Sequence, residues 1–169
     1  MIFIEFEGTL KGKGTGTSGD QKIKNAFVGH SMSFSAYRSI NPIVPGKGSA
    51  DRIQGGGAES GEVSISAESE AATALMFQEM IQAAKAIAKV TITIDNGSSD
   101  KSYVKFMTLV LENVYISNLS LSAGGDSKPG LSFSLNYSKF SLTTTGSATG
   151  GAGGSPTTVV YDIAAGKIG

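Results

Sequence analysis

The chain has 169 residues, enough for one ordinary domain that buries about 70% of its unfolded surface without covalent staples. Fourteen Lys and Arg balance fourteen Asp and Glu, and this zero net charge argues against a nucleic-acid protein, which carries a basic excess. Cysteine is absent, which excludes disulfides and thiolate metal sites, and no apolar run approaches the roughly 18 residues of a membrane-spanning helix.

Only 17% of the residues are charged while glycine reaches 23, a balance that points to turns, close backbone approaches and buried interfaces. At the start, Ile2, Ile4 and Phe6 alternate with Phe3, Glu5 and Glu7, which predicts a strand ending at Gly8. The same stretch has no basic n-region and is interrupted by two glutamates, so it does not read as a secretory signal. A Gly/Lys/Thr segment leads to a second strand region over about residues 23–40. There Met32, Phe34 and Ala36 alternate with Ser31, Ser33 and Ser35, so one face is apolar and the other carries hydroxyls.

Residues 41–60, NPIVPGKGSADRIQGGGAES, predict a long extended loop. Pro42 and Pro45 push Asn41 and Val44 into extended geometry, and Gly55, Gly56 and Gly57 disfavour strand and helix alike. A structureless segment of this length is uncommon inside a domain and is then usually functional.

Gly61 to Ser66 predicts a short strand, and residues 69–86 a helix, with Ser69 as its N-cap. Leu75, Met76, Met80 and Ile87 share one broad helical face, so Met76, Phe77 and Met80 are expected in a core rather than in a partner groove. Val90 to Asp95 alternates strictly and ends at Asn96-Gly97, a hairpin signal. Its partner runs over about residues 103–121 with both faces substantially apolar, as in a sheet buried on both sides or covered by a neighbour. Leu131, Phe133, Leu135 and Tyr137 alternate with Ser132, Ser134, Asn136 and Ser138 in a further strand. Residues 145–156 read as a Gly-rich linker to a last strand at Thr158–Ile163. The sum is a mostly β, single-domain chain, an antiparallel barrel or sandwich of about seven or eight strands with one flanking helix.

Chemistry is sparse. The lone His30, without cysteine, cannot make a usual zinc site and has no Asp-His-Ser context, so it reads as structural. Gly14-Thr-Gly16-Thr-Ser18-Gly19 matches the dinucleotide pattern, but a strand rather than a helix follows it, which removes the phosphate-binding helix N-terminus. Glu5 with Glu7, and Glu68 with Glu70, form no acid/base dyad. No catalytic, metal or cofactor-binding residue is assigned, and an enzyme is not expected.

The order of these elements resembles a known family. A start of the form I-x-I/F-x-G, a strand rich in alternating serine, a long Gly-rich loop and then strand–helix–strand are followed here by Leu111-Glu-Asn113-Val114-Tyr-Ile116-Ser117-Asn-Leu-Ser120-Leu-Ser122, then Leu131-Ser-Phe133-Ser-Leu135. This resembles the hemolysin-coregulated protein (Hcp) family of type VI secretion systems, and in plan the tail tube proteins of contractile phages. The resemblance implies a β-barrel flanked by a helix, hexameric rings stacked into a hollow tube, a contractile sheath and spike proteins as partners, and effector proteins in the lumen. It implies residence in the bacterial cytoplasm before firing and export without a cleaved signal peptide, with no nucleic acid bound and no membrane insertion. A secreted β-sandwich module binding carbohydrate or protein is the alternative, weakened by the absence of tryptophan.

On this reading the loop is an arm that orders on a neighbouring copy. Ile43, Val44 and Ile53 supply its apolar contact, and Arg38, Lys47, Asp51, Arg52 and Glu59 its charge pairing. Replacing Ile43 and Val44 by Asp is expected to leave the monomer folded and to weaken ring stacking. Unchanged assembly in sedimentation velocity would remove the loop from this account.

Overall fold

The structure is a computed structural model that describes residues 1–42, 53–82, 85–98, 103–125, 127–147 and 153–168. Among these residues are twelve strands and one α-helix. In chain order they are β1 (Ile2–Phe6), β2 (Gly16–Thr17), β3 (Lys24–Ser33), β4 (Ala36–Pro42), β5 (Ile53–Ser60), β6 (Val63–Glu68), α1 (Thr73–Gln82), β7 (Ile87–Asp95), β8 (Lys105–Ser122), β9 (Gly130–Asn136), β10 (Lys139–Ser147), β11 (Gly153–Asp162) and β12 (Lys167–Ile168). The mostly β class with one helix is as the alternation patterns predict.

Six strands close a barrel, antiparallel throughout, in the order β8-β7-β1-β3-β6-β9 and back to β8. Closure depends on β8 serving two neighbourhoods. Its first half pairs with β7, from Asp95 opposite Lys105 to Ile87 opposite Val114, and on its other side with β10. Its second half pairs with β9, from Tyr115 opposite Asn136 to Ser122 opposite Gly130. Beyond β10 the sheet continues outward as a wing through β11 to β12.

The two-sided apolarity of β8 has a local cause that strict alternation does not anticipate. Leu109 and Leu111 face the core at odd positions, then Val114 and Ile116 at even ones, then Leu119 at an odd one. The first switch is Asn113, held at φ +52°, a left-handed conformation that asparagine tolerates better than most residues. The second is a bulge between Ile116 and Asn118. Each inserts one residue's worth of phase and turns the following side chains over. The partner strand switches at the same level: β9 buries Leu131, Phe133 and Leu135, while β10 begins on Phe140. Asn113 Nδ2 donates to Ser138 Oγ at 2.9 Å, and the Ser138 amide donates to the Glu112 carbonyl at 3.1 Å, which ties the two kinks together.

The barrel interior is filled by side chains. Ile4, Val63, Val90, Ile92, Leu109, Leu111, Val114 and Leu135 are fully buried, and Phe6 meets Phe27 edge to face at 5.3 Å. Helix α1 lays Met76 into this core, with Phe77 and Met80 partly buried beside it. It is shorter than the predicted span of residues 69–86. Thr73 Oγ1 accepts hydrogen bonds from the Glu70 amide at 3.0 Å and the Ser69 hydroxyl at 3.2 Å. Residues 69–72 are thereby held in a turn that delays the helix start, and residues 85 and 86 are no longer helical.

Two further expectations change. The stretch of residues 145–156 is not a linker over its described part, because β10 runs to Ser147 and β11 begins at Gly153, paired antiparallel across the gap. The extended segment of residues 41–60 is, over its described part, a two-stranded ribbon of β4 and β5 that contains Gly55, Gly56 and Gly57. Its register shifts between Arg38 opposite Ala58 and Ile40 opposite Gly55, so the bulge in β5 falls on the glycines. The ladder to β4 supplies the order that glycine by itself disfavours.

Because Asn113 carries a positive φ, Asn113→Val is expected to lower stability by about 1–3 kcal/mol, with Asn113→Gly milder. Urea unfolding followed by fluorescence checks this; equal midpoints for both variants would mean that the kink is unstrained.

Candidate assembly surface

The GxGxxG stretch is a packing device. It leads into β3 rather than a helix, and a Cβ on Gly14 would overlap the Ala26 carbonyl carbon of β3. Behind it Phe3, Ile23 and Ala26 form a small second core on the outside of the barrel. His30 is exposed, with Nε2 3.7 Å from Glu68 Oε1, and Lys128 Nζ lies 3.5 Å from the other Glu68 oxygen. Glu68 thus ends a strand in a surface charge cluster, while Glu70 Oε1 accepts from the Val28 amide at 3.5 Å.

Concavities of three kinds mark the surface among the described residues. A charged cleft of about 270 Å³ lies over β1, β3 and β7, where Lys89 pairs with Glu7 at 3.0 Å. Burial pushes the Glu5 carboxyl there above the ordinary carboxylate range, opposed by the charge of Lys105. An apolar cleft of about 180 Å³ lies between Ala36 and Ala58 of the ribbon and Phe140, Val159 and Tyr161 of the wing. The third, about 330 Å³, lies on the outer face of β3, β6, β9 and the second half of β8.

That last face is built by register. Ser31 stands opposite Ser66, Ser66 opposite Ser132, and Ser132 opposite Ser120. One pair along, Ser33 is opposite Ser64, Ser64 opposite Ser134, and Ser134 opposite Asn118. Two complete cross-strand rows therefore contain seven serines and one asparagine. The sequence displays each strand's hydroxyl stripe separately, and only the strand order lines them up. The four strands alternate in direction. Among the described residues, both outer edges of this face lack a strand partner: β3 past Gly29 on its β1 side, and β8 past Val114 on its β7 side.

The ribbon is anchored at its base. Tyr137 donates its hydroxyl to the Gly61 carbonyl at 2.8 Å, Tyr161 to the Ala58 carbonyl at 2.9 Å, and the Gly61 amide bonds the Ser35 carbonyl at 2.8 Å. The two tyrosines belong to a ring cluster in which Phe140 sits 5.1 Å from Phe34, 6.1 Å from Tyr137 and 5.9 Å from Tyr161. Of the residues expected to mediate assembly, Arg38 and Glu59 are exposed on the ribbon, and Glu59 accepts the Tyr37 hydroxyl at 2.7 Å. Ile53 opens β5, opposite Pro42. Ile43, Val44, Lys47, Asp51 and Arg52 lie outside the described residues. The serine rows and free edges were not among the predicted assembly residues, although the alternating serines signalled the rows.

Comparison with known proteins agrees with this architecture. The family model described as type VI secretion system effector, Hcp, matches residues 3–143. A solved structure described as a type six secretion system protein superposes with a TM-score of 0.81 at 15% identity, covering 99% of this chain and 98% of its own. Hcp1 from Salmonella typhimurium gives a TM-score of 0.72 at 16% identity, covering 99% and 97%. A structure described as secreted protein Hcp3 from Pseudomonas aeruginosa gives 0.60 at 14% identity, covering 94% and 97%. No curated protein sequence matches the chain.

Tyr137→Phe and Tyr161→Phe each remove one bond at the ribbon base, so each is expected to lower stability by only about 0.5–1.5 kcal/mol. Amide hydrogen exchange is expected to quicken in β4 and β5 and stay unchanged in β7. Uniform acceleration across the barrel would mean that these hydroxyls support the core rather than the ribbon.

Proposed function

The chain belongs to the Hcp family of type VI secretion systems, and on that premise we propose that it is a non-enzymatic tube subunit that closes into hexameric rings. The observation that carries the reading is the four-stranded serine face with its two free edges. An open strand edge is a template for pairing with another chain. The edges are different strands, so the contact is heterologous, and heterologous contacts close into rings when the rotation permits. The face holds an even number of alternating strands. Its β3 edge therefore meets the β8 edge of the next copy antiparallel, and the alternation continues around the ring. The apolar cores lie behind this face, which leaves the hydroxyl rows toward the channel.

Stacking of rings into a hollow tube falls to the ribbon, which extends the chain beyond the barrel. Arg38 and Glu59 on its described part, and Ile43, Val44, Lys47, Asp51, Arg52 and Ile53, are the residues proposed to meet the next ring. A contractile sheath, spike proteins and effector proteins in the lumen are the further partners. The protein acts from the bacterial cytoplasm before firing and is then delivered outside without a cleaved signal peptide.

The cysteine-free sequence permits a direct test. A Ser33→Cys, Ser120→Cys double variant places one thiol near each edge, three strand spacings and one row apart, roughly 16 Å within a copy. A bis-maleimide too short to span that distance is expected to link copies into a ladder that stops at the hexamer. Only monomer on a denaturing gel, from protein that native mass measurement finds assembled, would eliminate the edge-to-edge ring.

A further inference from the structure

The serine face has a chemistry that the tube reading by itself does not specify. Four of its seven row hydroxyls are engaged with one another, Ser31 with Ser66 at 2.7 Å and Ser64 with Ser134 at 3.1 Å, and beside them Ser117 Oγ donates to the Ser134 carbonyl at 3.3 Å. Around the cleft the exposed positions are serine and asparagine, with Met32, Ile65 and Phe133 at its floor. Charge stands at the ends of the strands rather than among the rows. At one end Glu68 is shared between His30 and Lys128, and at the other Glu62 precedes β6.

We propose that this face is an uncharged sliding wall, which admits polypeptide cargo of either net charge and holds neither by ion pairing. The inference rests on the tube reading and concerns its cargo. A channel lined by one sign of charge concentrates counter-charged molecules, and salt weakens that selection. Neutral hydroxyls produce no such field. Paired with one another or with water, they offer a passing chain only the exchange of one hydrogen bond for another, with small net gain. Side chains this short also lose little rotamer freedom on contact. The wall therefore lets cargo move, and any strong retention of a particular cargo must come from outside the rows, at the strand ends or beyond the subunit.

The test uses assembled particles of the full chain and three fluorescent probes of equal length: oligoglutamate, oligolysine and a neutral Gly-Ser peptide. Uptake is measured by co-sedimentation. All three are expected to enter to within about twofold of one another, with less than about a twofold change between about 50 and 500 mM salt. In Ser132→Lys, or in Ser120→Lys should the first not assemble, oligoglutamate uptake is expected to rise several-fold over oligolysine and to become salt-sensitive. A salt-dependent preference for one sign in the unmodified particle overturns the proposal, as does exclusion of all three peptides. Equal uptake in the lysine variants would show that the peptides do not travel along this wall and overturns it too. Failure of the tube reading is distinguished separately. In assembled particles Ser132→Cys should react with a small maleimide and be protected from one carrying a large polymer. Equal reaction with both would place the face outside any channel, whatever the peptides do.

Discussion

The architecture depends on one coupled kink. Strand β8 is eighteen residues long, too long to remain flat against a single set of neighbours given the twist of a sheet. It bends at Asn113, and its partner bends at Ser138, where the two are joined by side-chain and backbone hydrogen bonds. On one side of the kink the hairpin belongs to β7 and the wing; on the other it closes the barrel through β9 and β6. Without the switch at Asn113, Val114 and Ile116 would turn outward and the core would lose two of its buried side chains.

The bulge at Ser117 completes the arrangement. It returns Leu119 to the core and sets Asn118 and Ser120 outward, in line with Ser134 and Ser132 of β9. The serine rows exist because this second phase change offsets the first. The segment that resembles the family pattern, Leu111 to Ser122, thus contains both devices: the left-handed asparagine and the bulged serine.

A second consequence is the ring cluster centred on Phe140. With β10 turned over relative to β9, Phe140 faces Phe34, Tyr137 and Tyr161 rather than solvent. The cluster lies where barrel, wing and ribbon meet, and the tyrosine hydroxyls reach from it to the ribbon backbone. The direction in which the ribbon leaves the barrel is therefore set by apolar packing at its base. Within the ribbon, Gly55, Gly56 and Gly57 have no side chains to pack.

Much of this was legible in the sequence because its cause is local. Alternation placed β1, β6, β7 and β9; the spacing of Met76 and its neighbours placed the helix; and the strand entering after Ser18 ruled against a dinucleotide loop. What local pattern could not supply was phase and partnership. Nothing in the identity of Asn113 or Ser117 announces a left-handed residue or a bulge, so the two apolar faces of β8 read as burial on both sides. Three glycines read as loop because a ribbon's ladder bonds come from a distant strand. The serines of β3, β6, β8 and β9 were each visible as one polar stripe, up to about one hundred residues apart in the chain. Only the closed strand order, a long-range consequence of burying the opposite faces together, made them one surface.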